Sequence, residues 1–263
     1  MTTRLVPLGV NGFIPSFGRQ TMSFLVLTEK TALLLDAGTG ISRLLEQRIA
    51  SLLQPYDCLN IILSHYHLDH VVGISYLPGI WMRGNVRVYA PGKPFVNVVP
   101  EKVLNRLLRP PLFSITLQQF PTPVEVIPIT QENLQLGDLP IQLRGQKHPG
   151  GSVGFRIADV LAYITDTVVD QATQMFVKDV GFLLHEVWLT EAEARIDEVE
   201  RSRHSYTGGV AKIATQAKVG HLMPVHHHPK RSTSDIRKLV QEIRKMTTVE
   251  VVIPEEGKNY QLD

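Results

Sequence analysis

Leu59-Asn60-Ile61-Ile62-Leu63-Ser64-His65-Tyr66-His67-Leu68-Asp69-His70 is an apolar run followed at once by three imidazoles and a carboxylate. Residues 59–63 read as a buried strand, and Ser64 marks the turn that ends it. His65 and His67 alternate, so in an extended turn they point the same way, while Asp69 and His70 can swing toward a neighbouring centre. Neutral imidazole and carboxylate suit zinc and related divalent metals. A polar loop that binds nothing would account for one such residue. Four potential ligands at the end of one strand make a metal the better reading.

Composition sets compatible bounds. The chain has 263 residues, enough for a large core in one domain or two small ones. Lys+Arg 27 against Asp+Glu 25 leaves +2, so nothing marks the whole molecule as a polyanion binder. The single cysteine, Cys58, excludes an intrachain disulfide and reads as a packing residue. No stretch has the apolar length of a membrane span, and Met1-Thr2-Thr3-Arg4-Leu5 lacks a signal-peptide core. The expectation is a cytoplasmic protein with no membrane partner.

Around the metal motif the chain alternates strands and helices. Residues 24–28 and 32–36 predict strands joined at Glu29-Lys30, and Gly38-Thr39-Gly40 turns into a helix over 41–53. A strand at 87–90 follows the motif. Residues 91–130 are the least readable part, with a helix over 97–108 stopped by Arg109-Pro110-Pro111. Its cations Lys102, Arg106 and Arg109 read first as a solvated helix face, second as a phosphate-attracting entrance. Strands then recur at 153–157, 160–165, 183–185 and 221–225, with a helix over 208–218. Ser232-Thr233-Ser234-Asp235 has the form of a capping box opening a helix over 236–246. Lys230, Arg231, Arg237 and Lys238 form a second basic cluster, close in sequence to His226.

His-x-His-x-Asp-His after a strand resembles the metallo-β-lactamase superfamily. The resemblance implies an α/β fold, an αββα sandwich of two packed sheets with helices outside. The superfamily's later signatures fall in order: His148 after strand-like 141–144, Asp166 at the end of 161–165, and His226 after 221–225. The match runs from Leu8-Gly9 to His226 and so implies one domain over residues 1–263. It implies two divalent ions, with His65, His67 and His148 on one, Asp69, His70 and His226 on the other, and Asp166 bridging. Zinc is favoured by the nitrogen-rich set, while the carboxylates leave manganese or iron open. Alone, His148 would read as a loop residue and Asp166 as a turn former or cap. The order of the elements favours ligation.

Two further segments point to a branch. Leu184-His185-Glu186-Val187-Trp188 resembles the His-Glu-Ala-Thr segment of ribonuclease Z and its relatives. His204-Ser205, 18 residues after Glu186, falls where those enzymes carry His-Ser or His-Thr. Residues 8–16 resemble the same family's glycine-rich opening, and residues 148–156 its fourth motif. The resemblance implies that His204 protonates the leaving oxygen, that Glu186 orients it, and that Asp69 is both ligand and catalytic residue. A histidine suits that task because its pKa lies near working pH. The common class B β-lactamases use a cysteine ligand, whereas Cys58 lies before the motif.

The departures narrow the substrate. Thr165 stands where glycine is usual before Asp166, and Val187-Trp188 replaces Ala-Thr. Val225-His226-His227-His228-Pro229-Lys230 replaces Thr-His-x-Ser-x-Arg, which leaves His227 and His228 as polar rim. His148 and Asp166 are only 18 residues apart, where bacterial ribonuclease Z inserts a long tRNA-gripping arm. Without an arm, the remote contacts that favour a large RNA are lost. The expected function is therefore a phosphodiesterase acting on a small-molecule or short single-stranded phosphodiester, with RNA not favoured and a homodimer left open. The alternatives are a metal-dependent carboxylic ester, lactone or thioester hydrolase and a non-catalytic metal-binding sensor of the same fold. A sensor need not keep a proton donor beside its metals, so His204 and Glu186 argue against it.

Overall fold

Continuous apolar strands dictate the layers. The computed structural model describes residues 3–81 and 84–262; Met1 and Thr2, where the stretch read without a leader begins, lie outside them. The first sheet contains β1 (Thr3–Gly9), β2 (Ser23–Leu27), β3 (Ala32–Leu35), β4 (Cys58–Ile62), β5 (Asn85–Pro91) and β6 (Val124–Ile129). The second contains β7 (Asn133–Leu136), β8 (Leu139–Gln146), β9 (Ser152–Ile157), β10 (Leu161–Ile164), β11 (Phe182–Glu186), β12 (His221–Val225) and β13 (Glu250–Val251). The closing strand β14 (Tyr260–Leu262) returns to the first sheet beside β1.

β3 shows why both faces must be covered. Ala32 and Leu34 pack with Ile41, Ile49 and Leu53 of the outer helical layer, while Leu33 and Leu35 face the other sheet. β10 does the same in the second sheet. Ala162 and Ile164 pack with Val210, Ile213 and Leu239 of the outer helices, and Leu161 and Tyr163 face inward. Strands buried on two faces lie parallel under helices, and β3–β6 and β10–β13 are parallel sets. Two mixed sheets with helices outside make the metallo-β-lactamase fold. Its parallel strands deliver their C-terminal ends to one edge of the sandwich, the edge where α/β sheets hold ligands.

Several local expectations shift. The helix expected over 41–53 is a 3-10 turn, Thr39–Leu45, and a helix, Gln47–Leu53, broken at the extended Glu46. The Glu46 carboxylate turns back to Arg43 at 2.5 Å. The helix expected from 97 starts at Pro100, because a proline is best tolerated in a first turn. Lys102, Arg106 and Arg109 are exposed, as a solvated face requires. β6 was not legible at all, being a half-buried edge strand with Pro128 inside it. Cys58 opens β4 and is half-buried. The capping box is present: Asp235 N–H donates to Ser232 Oγ at 3.2 Å and Ser232 N–H to Asp235 Oδ2 at 3.0 Å. No helix among the described residues is long and apolar enough to cross a membrane.

The motif is seated by close backbone packing. A Cβ on Gly73 would stand 2.2 Å from the Gly38 carbonyl oxygen and 2.3 Å from Ile41 Cγ2, whereas a Cβ on exposed Gly79 would meet nothing within 4 Å. We expect Gly73→Ala to destabilise the fold by about 1–3 kcal/mol. Gly79→Ala should be neutral or slightly stabilising, since alanine is the better helix former. Thermal unfolding of both variants checks the pair; equal midpoints would show that the Gly73 turn gives way freely.

Candidate metal centre

Apart from His204, the residues of the centre sit at or just beyond strand C-terminal ends. β4 delivers Ser64 to His70, β10 delivers Asp166, β11 ends at Glu186, and β12 is followed by His226. His148 comes from the β8–β9 connection and His204 from the loop before the helix Thr207–Ala217. The structure thus brings together His65, His67, Asp69, His70, His148, Asp166 and His226, with His204 and Glu186 beside them.

They form two groups about one carboxylate. His65, His67, His148 and Asp166 offer one donor set and Asp69, His70 and His226 another, with donor atoms within 4.8 Å of one another in each. Asp166 Oδ1 lies 3.4 Å from His148 Nε2 and 3.9 Å from His65 Nε2. Its other oxygen, Oδ2, lies 3.1 Å from His70 Nε2 and 3.3 Å from His226 Nε2. Asp69 Oδ2 stands 3.3 Å from both of those imidazoles. Two ligands bound at about 2.1 Å with tetrahedral angles stand roughly 3.4 Å apart, so these spacings fit shared ions. Nε2 of His65 and of His70 is buried without a hydrogen-bond partner, which a metal ligand must be. The donor set therefore fits divalent metal.

A layer behind the donors fixes their directions. Asp36, fully buried at the end of β3, receives Ser64 N–H at 2.6 Å, Ser64 O–H at 2.7 Å and Tyr163 O–H at 2.7 Å. His70 Nδ1 lies 2.7 Å from the same carboxylate, which accepts only, so Nδ1 carries a proton and Nε2 is the nitrogen turned toward the donor set. Ser152 O–H donates to the Asp166 carbonyl and Thr165 O–H to its Oδ2, each at 2.7 Å. Phe13 N–H donates to Asp69 Oδ2 at 2.7 Å.

The imidazoles divide electrostatically. Burial holds His65, His67 and His148 below their ordinary pKa, leaving them neutral. Burial acts the same way on His70 and His226, but there the carboxylates outweigh it. Asp69, Asp166 and Asp36 hold His70 well above its usual value, and Asp166 with Asp69 and Glu186 raises His226 to about 10. Burial alone would raise Asp69 and Asp166, yet these cationic imidazoles keep both below the carboxylate range.

Glu186 and His204 pair beside the donor groups. His204 Nδ1 lies 2.8 Å from Glu186 Oε2, while Thr167 N–H donates to Oε1 at 2.6 Å. Burial favours neutral Glu186, but His204 holds its pKa down at about 2. Burial likewise lowers His204, and Glu186 outweighs it, so the imidazole titrates above 6.5. The indole of Trp188 stacks on His204 at 4.6 Å and on His226 at 5.3 Å, and its Nε1–H is held by Glu200 at 2.8 Å. His185 points elsewhere, buried with Nδ1 at 2.8 Å from the Glu186 carbonyl.

An open cavity of about 570 Å³ leads to the centre and is lined by Phe13, His67, Pro149, Trp188, Arg203 and Lys230 among others. Of the second basic cluster only Lys230 reaches it. Arg231 instead pairs with Glu193 at 2.5 Å, and Lys238 with Asp235 at 3.6 Å. His228 lines the cavity, its ring 4.6 Å from Trp188. His227, expected on the rim, is fully buried, because its N–H and carbonyl are bonded to Val10 and Gly12 of the opening strand and loop. Sequence reasoning missed Asp36, Tyr163 and Trp188. Asp36 carried a usable signal, an aspartate closing an apolar strand as Asp166 does.

A Beta-lactamase superfamily domain matches residues 31–227, and the chain belongs to that superfamily. Its fold is that of the metallo-β-lactamase hydrolases. The chain is 23% identical to a ribonuclease Z from Thermococcus onnurineus (strain NA1), over 305 aligned positions covering 95% of this chain and 91% of that protein. Among solved structures, it resembles the metallo-β-lactamase fold protein YhfI from Bacillus subtilis with a TM-score of 0.78, at 19% identity and coverage of 99% and 100%. The short form of human tRNase Z superposes with a TM-score of 0.69 at 16% identity, covering 99% of each chain.

Because Asp36 orients His70 from behind, Asp36→Asn should weaken zinc binding about 10–100-fold with the fold retained. Zinc titration against a competing chelator measures it. Unchanged affinity would mean that packing alone orients His70.

Proposed function

We propose that the protein is a binuclear metal-dependent phosphodiesterase for small or single-stranded phosphodiesters. In this reading His65, His67 and His148 would hold one divalent ion and Asp69, His70 and His226 the other, with Asp166 shared between the two groups. Zinc is the favoured metal on the nitrogen-rich donor set. When bound, two such ions supply a water acidic enough to act as nucleophile near neutral pH and positive charge for the phosphate oxygens. Asp69 accepts a hydrogen bond from the attacking water and orients it.

The observation that carries the phosphodiester reading is the His204–Glu186 pair, 2.8 Å apart at the cavity wall. Glu186 is ionised and can only accept, so His204 Nδ1 bears a proton and Nε2 is the free nitrogen. A protonated His204 can pass the Nε2 proton to the departing alkoxide, which a phosphodiester with a poor leaving group requires. The small-substrate reading is supported by the short span between His148 and Asp166, 18 positions apart, within which lie only β9, β10 and their short connections. The alignment to the Thermococcus onnurineus ribonuclease Z is longer than this chain, so that protein carries inserted segments absent here.

Elemental analysis of protein prepared without chelator should give two divalent ions per chain. On a substrate panel, bis-p-nitrophenyl phosphate or a cyclic nucleotide should be preferred to lactones, thioesters and tRNA precursors. One ion or none with full activity, or a preference for a lactone or thioester over every phosphodiester, would overturn the proposal.

His204→Ala should lose about 10²–10⁴-fold in rate on an alkyl leaving group and far less on p-nitrophenolate, which needs little protonation. Because Glu186 keeps His204 protonated above pH 6.5, wild-type turnover of the alkyl ester should hold below that pH and fall as pH rises through the elevated pKa. The variant should lack this alkaline limb and keep its metal. His204 also lies within reach of Asp166 and His226 as a third donor group, so loss of a metal ion in the variant would make it a ligand instead.

A further inference from the structure

Phe13 is a large aromatic residue in a place that packing does not explain. It lines the cavity of the metal centre yet is 69% exposed. Its backbone is left-handed, φ +66°, a conformation that is unfavourable for a bulky side chain. The conformation is enforced from outside the ring. Phe13 N–H donates to Asp69, Gly12 N–H to the His227 carbonyl at 3.0 Å, and Ser16 O–H to the Pro229 carbonyl at 2.6 Å. Asn11, fully buried, donates to Ser16 Oγ at 2.8 Å and accepts from Arg19 Nε at 2.7 Å. Gly12 packs so tightly that a Cβ there would meet His226 Cε1 at 2.5 Å and Trp188 Cζ3 at 2.7 Å. These bonds need the backbone of residue 13 and nothing of its side chain. Glycine or asparagine would suit the dihedral better. The loop is therefore a rigid mount holding an exposed flat ring at the mouth of the site. Such strained positions gather at ligand-binding sites.

The same cavity carries two exposed cations, Arg203 and Lys230, so an anion and a flat apolar surface are offered together. We propose that Phe13 is a stacking platform for the nucleobase of a nucleotide substrate, making it a specificity-determining residue. The proposal deepens the phosphodiesterase reading and rests on it for the position of the phosphate. Every base has a π-face, so stacking recognises nucleosides with little preference among bases. Stacking of one base on one aromatic ring changes affinity on the order of tenfold.

Two measurements on the metal-loaded protein test it. The first is the affinity for thymidine 5′-monophosphate relative to methyl phosphate. The second is kcat/KM for thymidine 5′-(p-nitrophenyl phosphate) relative to methyl p-nitrophenyl phosphate, which share a leaving group. Wild type should prefer the nucleoside by on the order of tenfold in both ratios. Phe13→Asn tolerates the left-handed backbone without the ring, and both ratios should fall toward one. Phe13→Tyr should keep them, and Phe13→Leu, apolar but not flat, should lose most of them even if the asparagine variant folds poorly. Cleavage of both esters with ratios that ignore residue 13, or that equal one in wild type, overturns the platform and leaves the phosphodiesterase standing. A Phe13-dependent preference in binding with neither ester cleaved upholds the platform and overturns the phosphodiesterase.

Discussion

The hydrogen bonds that meet at Asp36 hold the two sheets and the metal centre in one geometry. Ser64 reaches Asp36 from the end of β4, while Tyr163 reaches it from β10 in the other sheet. A fully buried carboxylate is expensive unless its oxygens are satisfied, so its four donors, two from Ser64 and one each from Tyr163 and His70, are bound to this spot. Each donor residue adjoins the centre or belongs to it. Ser64 precedes His65, and Tyr163 lies three residues before Asp166. The Tyr163 ring also stacks on Phe155 at 5.9 Å within the core between the sheets. Burial and the Asp36 charge keep its phenol protonated and donating. Sheet packing and imidazole orientation are therefore linked through one carboxylate.

Charge is distributed unequally over the two donor groups. His65, His67 and His148 are already neutral and present lone pairs without losing a proton. On the other side His70 and His226 hold protons because Asp69 and Asp166 demand positive charge. On the proposed assignment, an ion entering that second group displaces those protons, so its affinity rises with pH more steeply than that of the first. The same carboxylates that favour the protonated imidazoles favour the ion that replaces them. Glu186 is shared: its Oε2 pairs with His204 at 2.8 Å and also lies 3.5 Å from His226 Nδ1.

What the sequence revealed and what it hid follow from where each signal lies. β3, β4, β10 and β12 are apolar runs covered on both faces, so they stand out, and β4, β10 and β12 carry their terminal site residues with them. The nine site residues named from the motifs converge because each is tied to such a strand or to its own spacing. β6 escaped because an edge strand half-exposed along its length has neither alternation nor a full apolar run. Asp36 escaped because its partners, Ser64, His70 and Tyr163, are 28, 34 and 127 residues away. Trp188 escaped for the opposite reason: it was noted as a departure from Ala-Thr, and only the fold shows the indole against His204 and His226.

The left-handed residues explain how strand ends become a site. Asp36, Asp166 and His226 have φ of +58°, +48° and +53°, and each follows a strand of the parallel sets. A strand that ran on would point these side chains at a helix layer or into the core between the sheets. One left-handed residue turns the chain sharply and folds the side chain over the sheet edge. Aspartate and histidine are among the residues that tolerate this backbone, so ligand chemistry and turn chemistry agree. The turn at His226 also separates three adjacent histidines. His226 faces the carboxylates, His227 is driven behind the edge against the opening strand, and His228 emerges at the cavity wall beside Trp188. Identical side chains at consecutive positions thus acquire three environments from one dihedral, which no reading of spacing alone could divide.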